Sequence, residues 1–480
     1  MQEDSALQGS EDSDKKALAA VVLAAGEGKR LKSRHPKPLQ PLCGRPLIDH
    51  VLDAVAALEP AETVVIVGVG REEVTAAVEG RGGLKFAVQE RQLGTGDAAK
   101  AAARALEGFS GDVLITCADT PLVTAETLQG LLDCHHANEA AGTVLTAIFD
   151  DPTGYGRIVR GDKGLVLAIT EQKDASEQVR AIREINAGIY VFDAEALFAA
   201  LERLRPDNEQ AEYYLTDVIG LLVSDGRRVA ALAAPSAEEV VGINNRVQLS
   251  EAERIARGRI RTRVMLDGTT LMDPATTLID AEVTIGRDTV IWPGATLLGN
   301  TQIGDECEIG PNVFIRDSRI ANGAKIRQAS MITDSAIGER ASVGPFSHVR
   351  EHSTTEAESR VGSYTEVVRS RIGARTKAQH FTYLGDADVG EDVNIGAGVV
   401  TCNYDGEKKH KTIIGDEAFI GSDAIIVAPG EIGPRSYVAA GSVITKPVPE
   451  GALGIGRTSQ ANREGWGTAR RKRRESEEGV

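Results

Sequence analysis

A chain of 480 residues, 42% of them apolar, can bury more than one core, and this length predicts two domains. Its formal charge of −16 excludes general nucleic-acid or membrane-surface binding, so anionic ligands must be met locally by basic side chains, backbone N–H groups or a metal. Aromatics make up only 4% while glycines number 51, a balance that favours many tight turns over an aromatic-packed sandwich.

Residues 1–16 form an acidic, polar leader, the opposite of a signal peptide, and are expected to be disordered. No apolar run reaches the roughly 20 residues of a membrane span. The five cysteines (Cys43, Cys117, Cys134, Cys307 and Cys402) are scattered and form no CxxC pair. Together these features predict a cytoplasmic protein with reduced thiols.

Residues 17–25 are a continuous apolar run, as in a strand buried on both faces of a parallel sheet. Similar runs at 63–69, 112–117 and 143–149 alternate with helix-like segments such as 46–58 and 97–106. Residues 17–246 therefore read as a doubly wound, Rossmann-like α/β domain. The motif LAAGEGKR (23–30) follows the first run directly. Its Gly26 and Gly28 let the backbone approach a ligand and offer N–H groups to phosphate, and Arg30 adds a charged partner. In PKPL (36–39), Lys37 sits on a proline-stiffened loop. The pattern is neither a Walker loop nor a dinucleotide GxGxxG. Residues 247–267, charged and nearly free of turn residues, predict a linker helix.

Beyond that helix the period changes. Ile285, Ile291, Leu297, Ile303, Ile309 and Ile315 fall on a six-residue step, and so do Ile414, Ile420, Ile426, Ile432, Val438 and Ile444. No α-helix has that period, and a plain strand would show period two. Residues 268–457 thus predict a parallel β-helix whose aliphatic side chains fill an axial core. The step slips between the two runs, and residues 403–411 read as a loop leaving the coil. His380, in HFTYLGD (380–386), is a candidate general base, since an imidazole with an unperturbed pKa near ~6.5 suits proton removal at neutral pH. The polar tail 458–480, including RRKRR (470–474), is expected to be solvated.

In chain order, LAAGEGKR, PKPL, QERQLGTG (89–96), DTPL (119–122), DPTGYGR (151–157), EQKD (171–174), NAG (186–188) and GINNR (242–246) closely resemble one family. It is the bifunctional N-acetylglucosamine-1-phosphate uridyltransferase/glucosamine-1-phosphate N-acetyltransferase family of bacterial cell-wall synthesis. The resemblance runs from about Leu18 to Trp466. It implies a left-handed coil, a homotrimer with active sites between subunits, Mg²⁺ as cofactor, and UTP and acetyl-CoA as substrates. It also implies that Leu23, Ala24, Ala25, Gly26, Gln89, Gly94, Thr95, Cys117, Ala118 and Asp119 hold the nucleotide, with Arg30 and Lys37 facing the phosphates as catalytic cations. Asp119 and Asn244 would bind the metal, and Gly156, Glu171, Asn186 and Asn244 would hold the sugar. In the coil it implies His380 as base with Glu366 orienting its ring, and Arg350, Tyr383 and Asn394, with position 368, at the amino-sugar phosphate. Ala397, Asn403, Tyr404, Ser422, Ala440 and Arg457 would take acetyl-CoA, with Lys409 in reach of a CoA phosphate.

Several positions depart from the family's pattern. Lys29 stands where a threonine is usual, and Cys117-Ala118 replace Tyr-Gly before Asp119. Val368 replaces a lysine that grips the sugar phosphate, and alternation along a strand would keep Arg369 from substituting for it. Glu351-His352 replace Pro-Gly after Arg350. These changes predict a weaker complex with glucosamine 1-phosphate, which Val368→Lys would restore. They keep open an alternative in which a sugar-1-phosphate nucleotidyltransferase carries a weakened or re-specified acyl site. A third reading, a nucleotide sensor on a trimerisation scaffold, is disfavoured by the joint presence of Lys37, Asp119, Asn244 and His380.

Overall fold

The computed structural model describes residues 16–161 and 164–477; residues 1–15 of the acidic leader and the last three residues of the tail lie outside them. The chain divides into two compact units, Met1–Arg259 and Ile260–Val480, with the boundary inside one long helix, Arg246–Leu266.

The first unit is built on a nine-stranded sheet. Its strands are β1 (Leu18–Leu23), β2 (Glu62–Val67), β3 (Leu84–Val88), β4 (Asp112–Cys117), β5 (Gly142–Ile148), β6 (Arg157–Arg160), β7 (Val166–Thr170), β8 (Glu184–Asp193) and β9 (Val229–Ala233). The main path runs β9-β5-β8-β4-β1-β2-β3, with the β6–β7 hairpin to one side. Strand β1 pairs in parallel with both β2 and β4, while β8 runs antiparallel to its neighbours β4 and β5. The sheet is therefore mixed, where the apolar runs alone suggested parallel strands.

The apolar run of β1 serves two cores at once. Ala19 and Val21 face one, with Ala98, Ala102, Leu197 and Val218; Ala20 and Val22 face the other, with Ile48, Val51, Val74 and Leu128. Helices thus cover both faces of the sheet. Each fully buried valine or leucine in these layers contributes about 1.5–3 kcal/mol over an exposed one. The edge of the sheet where β1 and β4 end is the face that matters chemically, because ligands of open α/β sheets bind beyond the carboxyl ends of their strands.

The second unit is a three-sided coil of very short parallel strands forming sheets of eleven, ten and nine. Ile291 pairs with Ile309, a step of 18 residues, and Ile309 with Ile326, a step of 17. One corner of a coil is a residue shorter there, which explains the slip in the sequence period. Val389 pairs with Ile414, a step of 25, because residues 403–411 leave the coil between Val400–Cys402 and Thr412–Ile414. Ile291, Ile309, Ile315, Ile372 and Ile420 are wholly buried along the axis. Of the polar tail, Trp466–Glu477 forms a helix with no buried side chain, an element the sequence reading had not assigned.

Two candidate active sites

At the end of β1 the chain enters a glycine turn. Gly28 takes a left-handed backbone (φ 64°), and a Cβ there would stand 2.7 Å from the Cβ of Lys37. The glycine therefore lets the Lys37 loop close onto the turn. At Gly26, by contrast, a side chain would meet nothing of the protein within 4 Å, so its open space faces a cavity and not packing. That cavity, about 310 Å³, is lined by Leu23, Ala24, Ala25, Gly26, Lys37, Gln89, Gly94, Thr95, Cys117, Ala118 and Asp119, and also by Pro38, Gln92, Ala98 and Glu212. Gly94, which begins the helix Thr95–Ala105, has φ 106°, and a Cβ on it would lie 2.4 Å from the carbonyl oxygen of Tyr213.

Four charged and polar groups converge beside the cavity, Lys37 and Asp119 from its lining and Asn244 and Arg30 from outside it. The Lys37 ammonium donates to Asp119 and, at 2.8 Å, to Asn244 Oδ1. Arg30 donates to the same Asn244 oxygen at 2.9 Å. The Asp119 carboxylate and the Asn244 amide oxygen thus lie close enough to be bridged by one cation, here an ammonium. Both are hard oxygen donors, and two protein ligands leave the remaining positions of an octahedral ion to water and substrate phosphates, so the pair fits Mg²⁺. Lys29 lies on the exposed rim and pairs with Glu27, so its charge is met outside the cavity lining.

Beside this cluster the structure brings together Gly156, Glu171 and Asn186. A Cβ on Gly156 would lie 3.4 Å from a Glu171 oxygen and 3.5 Å from the Asn186 Cβ. Burial raises the Glu171 carboxyl above its usual range, with a hydrogen bond from Thr216 (3.3 Å) offsetting part of the effect. Asn186 donates to the Tyr190 hydroxyl at 2.7 Å and accepts from the Gly188 N–H at 3.0 Å, which fixes its amide. Gln92 was not assigned from the sequence; its place in the same QERQLGTG motif as Gln89 is the signal that marked it.

Cys117 occupies the seam between this cluster and the sugar side. Burial pushes its thiol up to about 12, the Asp119 charge adding to the shift and Lys37 opposing it. A buried thiol raised in this way is a poor nucleophile at pH 8. Iodoacetamide at that pH is expected to leave Cys117 unmodified in the native protein and to label it only after denaturation, as read by peptide mass mapping.

On the coil, His380 ends the strand Lys377–His380 and is exposed. The main chain carries one corner up through successive turns: Phe381 N–H donates to Ser363, Gly398 to His380, Asp423 to Ala397 and Gly441 to Ser422. His380, Ala397, Ser422 and Ala440 therefore stand on one ridge, roughly 4.8 Å apart per turn. Such a ridge offers an extended ligand a line of contacts leading to the imidazole. Asn394 lies on the turn next to Lys377, and Arg457 and Tyr404 are exposed.

Arg350, Glu366 and Tyr383 sit on the adjoining sheet, where Glu366 is in register with Tyr383. Three expectations need correction there. Glu366 accepts from Arg350 at 2.9 Å, and no hydrogen bond joins it to the His380 ring. The corner at Phe381-Thr382 separates them, since His380 stacks beneath Ser363 and not beneath Glu366. Val368 is only 1% exposed, so it cannot touch a ligand, and Val368→Lys would bury an ammonium group instead of restoring a contact. Asn403 is 6% exposed, with its amide donated to Asp386, so its side chain is not open to acetyl-CoA.

The alternation argument also fails after Val368. The strand Glu366–Val368 stops there, Val367 and Val368 are both buried, and Arg369 turns a left-handed corner (φ 47°). Its guanidinium grips Asp386 at 2.7 and 3.0 Å and also pairs with Glu351. The hydrogen bonds to Asp386 raise the Arg369 pKa above its ordinary value. Glu351, which also pairs with Arg350, thus joins two arginines into one ladder with Glu366, Asp386 and Asn403.

A cation-flanked cavity at the strand ends of an α/β sheet, joined to a hexapeptide coil with an exposed histidine ridge, defines a two-domain transferase class. Residues 20–212 match the MobA-like NTP transferase domain, 277–404 the GMPPB C-terminal domain and 411–446 the hexapeptide repeat of succinyl-transferase. Bifunctional proteins GlmU from Exiguobacterium sp. and Geobacillus sp. are each 51% identical over 447 residues, covering 93% of this chain and 98% and 97% of theirs. That of Streptomyces avermitilis is 50% identical over 451 residues, 93% of either chain. The chain belongs to the bifunctional GlmU family, and its coil is the left-handed β-helix of hexapeptide repeats.

Proposed function

We infer that the chain makes UDP-N-acetylglucosamine in two reactions. Acetyl-CoA first acetylates glucosamine 1-phosphate, giving N-acetylglucosamine 1-phosphate and free CoA. UTP then reacts with that product to give the UDP-sugar and pyrophosphate. The observation that carries this reading is the cluster beside the cavity in which Lys37 joins Asp119 to Asn244 and Arg30 joins the same Asn244 oxygen.

In the uridylyl transfer, a sugar-phosphate oxygen attacks the α-phosphorus of UTP and pyrophosphate leaves. No protein nucleophile is needed; positioning and charge do the work. Arg30 and Lys37 offset the repulsion between the two anions, and the Gly26–Gly28 turn lets the phosphates approach the main chain. Glu171 and Asn186 hold the sugar hydroxyls. Asp119 and Asn244 would hold Mg²⁺, which supplies charge neutralisation at the phosphates when bound.

In the acetyl transfer, the amine nitrogen attacks the thioester carbonyl, its proton passes to a ring nitrogen of His380, and CoA leaves as its thiolate. Acetyl-CoA lies along the ridge of Ala397, Ser422 and Ala440, with Tyr404 and Arg457 at its sides. The amino-sugar phosphate meets Arg350, Tyr383 and Asn394. Because Arg350 and Arg369 are both engaged by carboxylates and position 368 offers no cation, this reading includes a raised KM for glucosamine 1-phosphate. The reading includes a homotrimer, which is supported by exposed apolar rings on the coil: Phe346 stacks on Tyr364, which is 66% exposed, and Phe381, next to His380, is exposed as well. The five free thiols suit the cytoplasm, and among the described residues no helix is long and apolar enough to cross a membrane.

Two assays on one preparation test the proposal. Release of thiol from acetyl-CoA should require the amino sugar phosphate, and release of pyrophosphate from UTP should require the N-acetylated one and stop in excess EDTA. Pyrophosphate release that persists undiminished in EDTA would refute it.

A further inference from the structure

Asn244 stands on neither a strand nor a helix; it lies in the GINNR loop (242–246), one residue before Asn245, the N-cap of the helix Arg246–Leu266. Two main-chain N–H groups of that loop are tied down. Ile243 donates to the Asp119 carbonyl at 2.9 Å, and Asn244 donates to Gln248 Oε1 at 2.8 Å. Asn245 Oδ1 in turn accepts from the Gln248 N–H at 2.9 Å, which is the first half of a capping box. In such a box the glutamine side chain reaches back to the N–H of the N-cap residue itself. Here it reaches one residue further, and the group it holds is the main chain of Asn244.

The two ties act on different peptide planes. The Ile243 bond holds the plane between residues 242 and 243, whereas the Gln248 bond holds the next one, which carries Asn244. Successive planes turn about the Cα between them, so the first bond does not set the second plane. The Asn244 side chain has little hold of its own. Its Nδ2 reaches only the Gly242 carbonyl, at 3.4 Å. Its Oδ1 accepts from Lys37 at 2.8 Å and Arg30 at 2.9 Å, which uses both lone pairs. A metal ion taking that oxygen displaces at least one of those cations, and the hold of Gln248 on the main chain then counts for more.

We propose that Gln248 is a positioning residue for the metal: its side chain, part of the helix cap, orients the peptide that presents the Asn244 oxygen beside Asp119. This rests on the reading of Asp119 and Asn244 as the metal's ligands. Groups that orient a ligand without touching the ion are commonly worth roughly 10- to 100-fold in metal affinity.

In the test, Mn²⁺ is titrated into the full-length protein with UDP-N-acetylglucosamine bound, and free Mn²⁺ is read by electron paramagnetic resonance. The Mg²⁺ concentration for half-maximal pyrophosphate release is measured alongside. Gln248→Met keeps the length and helix propensity of the side chain but removes its acceptor. It is expected to raise both the Mn²⁺ Kd and the Mg²⁺ requirement by about tenfold, and Gln248→Ala should do the same. Gln248→Glu, which keeps an acceptor oxygen, should leave both at or below the values of the unmodified protein. A residue that only capped the helix would lower the melting temperature and leave the Mn²⁺ Kd unchanged. That result overturns the proposal, as does an equal loss of Mn²⁺ binding in Gln248→Glu. Asn244→Ala separates the two readings: if it also leaves Mn²⁺ binding unchanged, the metal-site reading itself fails and takes the proposal with it.

Discussion

Asp119→Ala is expected to lower UDP-sugar formation by about a thousandfold while acetyl transfer proceeds at its normal rate. Asp119 lies just beyond β4, and its carboxylate and the Asn244 oxygen meet on a single cation. Removing it deletes one of the two side-chain oxygens that would hold the metal and leaves Lys37 without its carboxylate partner. Asn244→Ala should be milder, since Asp119 keeps the negative charge. Steady-state pyrophosphate release with saturating Mg²⁺, set against thiol release on the same sample, reads both effects. A parallel fall in the two activities would mean that the substitution had damaged the fold and not a site.

The second large effect belongs to the coil. His380→Ala should reduce acetyl transfer by about 10²–10⁴ and leave uridylyl transfer untouched. The reason is local. Glu366, the carboxylate the resemblance pairs with the base, is held by Arg350 at 2.9 Å and sits on the adjoining sheet, so it does not replace the imidazole. Thiol release from acetyl-CoA measures the loss. The KM for glucosamine 1-phosphate should change far less than kcat, because the imidazole acts on the proton and Arg350, Tyr383 and Asn394 hold the phosphate.

Much of this was legible in the sequence, and the parts that were not share a cause. The buried runs gave β1, β2, β4 and β5 because a strand covered on both faces leaves no polar gap to confuse with a loop. The six-residue period gave the coil because each turn repeats one packing problem. By contrast, β8 inserts antiparallel between β4 and β5, a matter of pairing that local pattern does not encode. At the nucleotide site the ordered motifs led to residues that do converge, since Gly28 and Gly94 each allow a main-chain approach that a Cβ would block.

The acyl site was read less well, for a geometric reason. A coil turns its corner every few residues, so neighbours in sequence leave on different faces. Val368 and Arg369 illustrate this: period-two alternation holds inside a strand, and the strand had already ended. The resemblance likewise pointed to Glu366 as partner of His380, whereas register puts it over Tyr383 and beside Arg350. Asn403 was read as a ligand contact, but its side chain turns inward to Asp386.

The central claim, that one chain carries two separable reactions joined by a released intermediate, is tested most directly by mixing. Asp119→Ala and His380→Ala proteins are each supplied with glucosamine 1-phosphate, acetyl-CoA, UTP and Mg²⁺, alone and together, and UDP-N-acetylglucosamine is measured by chromatography. Each variant alone should yield almost none, and the mixture should recover a large share of the unmodified rate. A mixture as inactive as its components would contradict the account.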